Sequence, residues 1–155
     1  MYKLIILDDD ENIINMIKKH MDFEKLGISL AGTATNGIDG LKLIHSVKPD
    51  IVLSDISMPG LTGLELLKKL KDIFIHPLVI LLTGHDNFQY AKEAISNNVF
   101  EYLTKPALPA DIYEALEKAV IDLSSSGLYN EYAFATALKT NSSSALNLIF
   151  ISLYI

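Results

Sequence analysis

Five short apolar runs recur along the chain, at residues 4–7, 28–31, 51–53, 78–82 and 99–103. Most are continuous stretches of Ile, Leu and Val rather than alternations, the pattern of strands covered on both faces. Between them the apolar positions change to a helical period. Ile13, Ile14 and Ile17 predict a first helix, and Ile38, Leu41 and Ile44 a second. Leu64, Leu67 and Leu70 predict a third, Phe88, Ala91 and Ile95 a fourth, and Ile112, Leu116, Ala119 and Leu123 a fifth. Turn signals punctuate the series: Asn36-Gly37, Lys48-Pro49-Asp50, Pro59-Gly60, Thr83-Gly84 and Lys105-Pro106.

A β-α unit repeated five times predicts a parallel sheet with helices on both faces. Right-handed crossovers then bring all five strand C-termini to one edge. Ligands of such sheets bind at that edge, near the point where strand order reverses. After Leu123 the pattern breaks. Ser-Ser-Ser-Gly at 124–127 reads as a linker, residues 128–138 as one more helix, and 141–144 as a second polar break before the apolar ending "ALNLIFISLYI". The expected division is a domain over 1–123 and a linker with a C-terminal tail over 124–155.

Composition narrows the chemistry. At 155 residues the chain can bury a core without staples. It has no cysteine, so disulfides, thiol catalysis and thiolate metal sites are excluded. His20, His45, His76 and His85 lack ligand-like spacing, which argues against zinc. Residues 1–7 are too short for a signal peptide and acids follow at once. The apolar ending is well short of the roughly 20 residues a membrane span needs. The expectation is a soluble, cytoplasmic protein with no membrane association. Net charge is −6 and there is no arginine, the usual reader of guanine, so direct nucleic-acid binding by this chain is not expected. The tail carries one acid, Glu131, and one base, Lys139, so the negative charge belongs to 1–123. Cations are the natural ligands of the acids.

The stretch "KLIILDDDENI" crowds four acids behind a buried-looking strand. Asp10 and Glu11 suit the first turn of the helix that follows. Asp8 and Asp9 stand at the end of strand one, Asp55 at the end of strand three, Thr83 at the end of strand four and Lys105 at the end of strand five. Each has a plainer use: aspartates cap helices and form turns, threonine caps, and lysine is commonly solvated. All of them converging on one sheet edge is a different matter. Three crowded carboxylates hold a proton unless a cation relieves their repulsion. A hard divalent ion such as Mg²⁺ suits them. Together with a lysine and a hydroxyl they form a phosphoryl-binding set, and a carboxylate is a competent nucleophile that yields an aspartyl-phosphate.

The motifs "LDDDE", "LSDISMPG", "LLTGHDNFQYAKEAI" and "EYLTKP" resemble the receiver domain of two-component response regulators, over residues 1 to about 123. The stretch "GHDNFQYAKEAI" most resembles receivers that precede AraC-type DNA-binding output domains. The resemblance implies a flavodoxin-like (βα)5 fold, a doubly wound parallel sheet with strand order 2-1-3-4-5. It implies that Asp55 is the phosphoacceptor, carried as 4-aspartylphosphate. Asp9 and Asp55 would bind Mg²⁺ directly, Asp8 partly through water, with the Ser57 main-chain carbonyl completing the protein's share. Lys105 would pair with the phosphoryl group, followed by Pro106 in a cis peptide. Thr83 would swing towards the phosphoryl oxygen and Tyr102 would turn inward behind it, although an aromatic in strand five is equally at home as core packing. Gly84 would leave the approach open, and Ser57 and His85 would set the phosphate's lifetime.

The implied partners are a sensor histidine kinase and, on phosphorylation, a second copy through the surface of the fourth helix, fifth strand and fifth helix. Enzymatic activity would extend only to self-phosphorylation from phosphodonors and autodephosphorylation. Transcription would be regulated through an output domain absent from this chain, which stops about thirty residues after the fifth helix as a truncated regulator or stand-alone receiver. Two other readings stand beside this one. A haloacid-dehalogenase-like Mg²⁺ phosphatase would want Asp-x-Asp-x-Thr/Val and a cap insertion; residues 8–12 offer only the two aspartates, and there is no room for a cap. A pure binding scaffold typically lacks an acid or the lysine, and here all are present.

Overall fold

Strand and helix alternate without exception in the computed structural model, which describes residues 1–73, 75–84 and 88–140. The elements are β1 (Tyr2–Leu7), α1 (Glu11–His20), β2 (Ile28–Ala34), α2 (Gly37–Val47), β3 (Ile51–Asp55), α3 (Gly63–Asp72), β4 (Leu78–Thr83), α4 (Phe88–Ser96), β5 (Glu101–Thr104) and α5 (Pro109–Thr140). The strands form one parallel sheet in the order β2-β1-β3-β4-β5. This is the flavodoxin-like arrangement the motifs imply, and the order reverses between β1 and β3.

The continuous apolar runs become the interior strands. Leu4, Ile5, Ile6 and Leu7 of β1 and Ile51, Val52 and Leu53 of β3 are fully buried. Edge strand β2 is only partly covered, and its pairing with β1 slips by one residue between Leu4 and Ile5, so that Ala31 is an extra residue on the edge. Local signals start the helices. The Asp10 carboxylate accepts the Asn12 amide at 2.8 Å at the head of α1. Thr62 and Glu65 close a reciprocal capping box at the head of α3.

Two helices turn a different face inward than the apolar count predicts. In α2, Ile38 is 51% exposed, while Gly37, Gly40 and Ile44 are buried. In α4, Ile95 is exposed and Ala94 is buried; the side chain of Phe88 lies outside the described residues. The cause in α2 is close approach. A Cβ on Gly40 would come within 2.8 Å of Leu7, and one on Gly37 within 1.9 Å of the Leu61 carbonyl oxygen. The second contact is to backbone, which cannot swing aside. Gly37→Ala is therefore expected to destabilise the domain by about 2 kcal/mol, within the range for overpacking a core. Thermal unfolding checks it: that cost is a drop of roughly 4–8 °C in Tm at this size.

The chain divides into two compact units, one spanning Met1–Ala119 and one beginning at Val120. Residues 124–127 are not a linker: α5 continues through them to Thr140. Within the helix the serine hydroxyls bond back one turn, Ser124 to the Val120 carbonyl at 2.7 Å, Ser125 to Ile121 at 2.8 Å and Ser126 to Asp122 at 3.0 Å, instead of competing for the backbone in a turn. The helix expected over 128–138 is thus the end of α5, not a separate element. The polar break at 141–144 and the apolar ending lie outside the described residues.

Candidate functional site: a carboxylate and lysine cluster at the sheet edge

The strand C-termini deliver their polar residues to one place. Asp8 follows the last residue of β1 and is fully buried; Asp55 closes β3 and is 5% exposed; Thr83 closes β4 and is buried. Lys105 follows β5, and its ammonium bridges the acids, 2.8 Å from Asp8 Oδ2 and 3.2 Å from Asp55 Oδ2. The other Asp8 oxygen, Oδ1, accepts the Asp10 amide at 2.9 Å. Asp9 is exposed, and one carboxylate oxygen from each of Asp8, Asp9 and Asp55 lies within 4.8 Å of the other two. The Lys105 amide donates to the Thr83 carbonyl at 2.6 Å, tying β5 to β4 just where the lysine leaves the sheet. The Lys105–Pro106 peptide is cis.

The electrostatics follow from this packing. Burial pushes the Asp55 carboxyl above its ordinary value. The Lys105 charge pulls it down and the Asp8 charge pushes it up; hydrogen bonds from Lys105 and the Ser57 amide oppose the burial without cancelling it. Burial also works against the Lys105 ammonium, but the hydrogen bond and charge of Asp8, with those of Asp55, outweigh it and raise the lysine. One lysine therefore serves two buried acids, and the site is short of positive charge. Three hard oxygen donors so close together fit a divalent cation such as Mg²⁺, which takes one or two carboxylates and fills its shell with water. Asp8 is fully buried and engages Lys105 and the Asp10 amide with its two oxygens, whereas Asp9 is exposed to an approaching cation.

The other residues that the motifs single out occupy different places. Ser57 is exposed just past Asp55, and its main-chain amide bonds the Asp55 carboxylate. Gly84 is exposed, and among the described residues a Cβ there would meet nothing within 4 Å. Tyr102 is partly buried against the core, and its hydroxyl is buried with no hydrogen-bond partner among the described residues. His85 lies outside the described residues. Next to Lys105 a largely apolar hollow of about 440 Å³ opens between Ile13, Met16, Leu82 and Ile112. One residue that stands inside a motif without a role assigned to it is Ser54, fully buried beside Asp55. The signal for it is a lone hydroxyl at the end of the apolar run 51–53.

Comparison with known proteins places this geometry. The response regulator receiver domain matches residues 4–117. The chain belongs to that family. The receiver is 38% identical over 123 residues to the transcriptional regulatory protein YesN of Bacillus subtilis, covering 79% of this chain and 33% of YesN. It is 48% identical over 90 residues to the positive alginate biosynthesis regulatory protein of Pseudomonas aeruginosa, covering 58% of this chain and 36% of that protein. It thus spans about a third of the length of each of these two relatives. Among solved structures, the receiver domain of AraT, a response regulator from Geobacillus stearothermophilus, superposes with a TM-score of 0.75 at 31% identity, covering 80% of this chain and 96% of that one. Receivers are signalling switches of two-component systems rather than classical enzymes, so the dehalogenase-like phosphatase reading falls away. Among the described residues no helix is long and apolar enough to cross a membrane.

Proposed function

We propose that this receiver takes a phosphoryl group from a sensor histidine kinase onto Asp55. The observation that carries the reading is the Lys105 ammonium shared between Asp8 and Asp55 at 2.8 and 3.2 Å, beside the exposed Asp9. An Asp55 carboxylate oxygen attacks phosphorus, the P–N bond of the phosphohistidine breaks, and the imidazole leaves. The Lys105 ammonium then pairs with a phosphoryl oxygen, and Thr83, at the end of the neighbouring strand, donates its hydroxyl to another. Asp9 and Asp55, helped by Asp8 and the Ser57 carbonyl, would hold Mg²⁺, which when bound supplies the positive charge that the site lacks. The hollow beside Lys105 offers an approaching phosphodonor an apolar surface.

Roughly two negative charges would then sit at the end of β3. In this reading Thr83 moves towards them and Tyr102, whose hydroxyl is unsatisfied among the described residues, turns inward. The α4-β5-α5 surface changes and favours pairing with a second copy. Transcriptional control would follow through an output domain, of the AraC type on the strength of "GHDNFQYAKEAI", in a cytoplasmic regulator. Ser57 and His85, two residues after Asp55 and Thr83, would guide or block the water that ends the signal.

Intact-mass measurement after incubation with Mg²⁺ and acetyl phosphate tests the core of this reading. A single adduct of one phosphoryl group is expected; an unchanged mass would leave a binding scaffold, and turnover of phosphate esters would revive the phosphatase. A metal test is independent of phosphorylation. Millimolar Mg²⁺ is expected to raise the melting temperature, because a ligand bound only by the native state stabilises it by mass action. At about 100 times Kd the gain is about 2.7 kcal/mol. Asp9→Ala is expected to abolish the rise, and a wild-type melt indifferent to Mg²⁺ would show the metal site to be misplaced.

A further inference from the structure

The end of β3 carries a contact that none of the roles above uses. β1 and β3 pair up to Leu7 and Ser54, so the Asp55 carbonyl lies one residue past the last paired position. Instead of continuing the ladder, it accepts the Ser54 hydroxyl at 2.9 Å. The serine is fully buried, in a strand whose other residues before Asp55 are Ile51, Val52 and Leu53. The same carbonyl lies close against the first residue of α3: a Cβ on Gly63 would sit 2.4 Å from the Asp55 oxygen. The nitrogen end of that peptide is held too, since the Ile56 amide donates to the Leu82 carbonyl at 2.9 Å. A peptide unit is planar, so fixing its oxygen and its N–H fixes its plane.

We infer that Ser54 is a positioning residue for Asp55, its hydroxyl locking the Asp55–Ile56 peptide so that the carboxylate is presented to Lys105 and to the incoming phosphorus. The inference rests on the proposed role of Asp55. The locked plane governs two things at once. It sets the direction in which the Asp55 side chain leaves the strand, and it sets the start of the turn that carries Ser57. Without the hydroxyl, the Asp55 carbonyl is a buried acceptor with no other donor among the described residues, and the peptide tilts to find one. Misplacement of a nucleophile by a fraction of an ångström is enough to slow an in-line transfer severely.

Ser54→Ala removes one oxygen from a packed site and leaves its volume nearly unchanged, so the variant is expected to fold, as circular dichroism will show. With Mg²⁺ and acetyl phosphate, its maximal phosphorylation rate is expected to fall about tenfold while the half-saturating donor concentration stays the same. Ser54→Thr, which keeps the hydroxyl, is expected to restore most of the rate. A folded Ser54→Ala protein phosphorylated at the wild-type rate would overturn the inference. So would a folded Ser54→Thr protein as slow as Ser54→Ala. Amide exchange of Ile56 supplies a reading independent of phosphorylation: about tenfold faster exchange in Ser54→Ala supports the lock, and equal exchange overturns it. If wild-type Asp55 accepts no phosphoryl group, the proposed function fails, and the Ile56 exchange still decides whether the hydroxyl holds the peptide.

Discussion

Asp55→Asn is expected to erase the phosphoryl adduct completely while leaving the fold intact. The amide keeps the shape of the side chain, so the packing at the end of β3 survives. What it loses is the nucleophile, because an amide oxygen does not form a stable acyl phosphate here and no neighbour replaces it. Asp8 is buried with both oxygens engaged, and Asp9 stands in the turn after β1 rather than at the end of β3. Stability separates loss of chemistry from loss of structure. The Asp55 carboxyl lies above its ordinary value, chiefly through burial, so its ionised form is a cost to the native state at neutral pH. The sign follows from linkage: an acid raised on folding takes stability away as pH climbs past its unfolded value. A neutral asparagine removes that cost, so Tm at pH 7 is expected to hold or rise, and the difference from wild type to shrink below about pH 4, where the aspartate is protonated in both states. A labelled phosphoryl group mapped to another residue of the wild-type protein would refute the assignment.

Lys105→Ala acts in the opposite sense and carries the second large effect. The ammonium is the counterion of a fully buried Asp8 and a nearly buried Asp55. Breaking a buried pair by removing one partner costs about 3–5 kcal/mol, since an uncompensated charge is left inside. The lysine side chain is 23% exposed, so water enters in its place, and a loss of about 3 kcal/mol is the expectation. Thermal unfolding would then shift down by roughly 6–12 °C. A divalent cation brings its own positive charge to the same carboxylates. Added Mg²⁺ is therefore expected to raise the melting temperature of Lys105→Ala by more than it raises that of the wild type. Equal gains in the two proteins would mean that the lysine and the metal do not serve the same acids. Phosphoryl transfer to Asp55 is expected to weaken in this variant without vanishing, because the nucleophile remains.

How much of this could be read from residues alone differs by element. The strands announce themselves because the middles of β1, β3 and β4 are enclosed on both faces and so carry runs of Ile, Leu and Val. Once they are placed, Asp8, Asp55, Thr83 and Lys105 fall together by topology, although Lys105 is 97 residues from Asp8 in sequence. The helical faces were less legible. Counting isoleucines aims Ile38 and Ile95 at the core, but α2 lies so close to the loop bearing Leu61 that only a glycine fits at 37, and a Cβ at Gly40 would press on the Leu7 side chain. A glycine in a helix reads as a weakness until the neighbouring backbone is in view. Ser124, Ser125 and Ser126 mislead for another reason: their hydroxyls find acceptors in the helix itself, which the sequence does not show. Ser54 was hidden by its neighbour: beside Asp55, one more small polar residue looks like part of a turn, and only its full burial and its bond to the Asp55 carbonyl mark it out.

The extra residue in β2 bears on what the open rim of the sheet can pair with. An open parallel sheet leaves two rims, and a straight rim is a template on which another molecule can lay down a strand. At Ala31 two residues of β2 stand against one of β1, which bends the strand and throws its outward amides and carbonyls out of step. An incoming extended segment can match the half before Ala31 or the half after it, but not both. The bulge thus protects the rim on the β2 side from fibril-like growth, on the side of the sheet farthest from the switch.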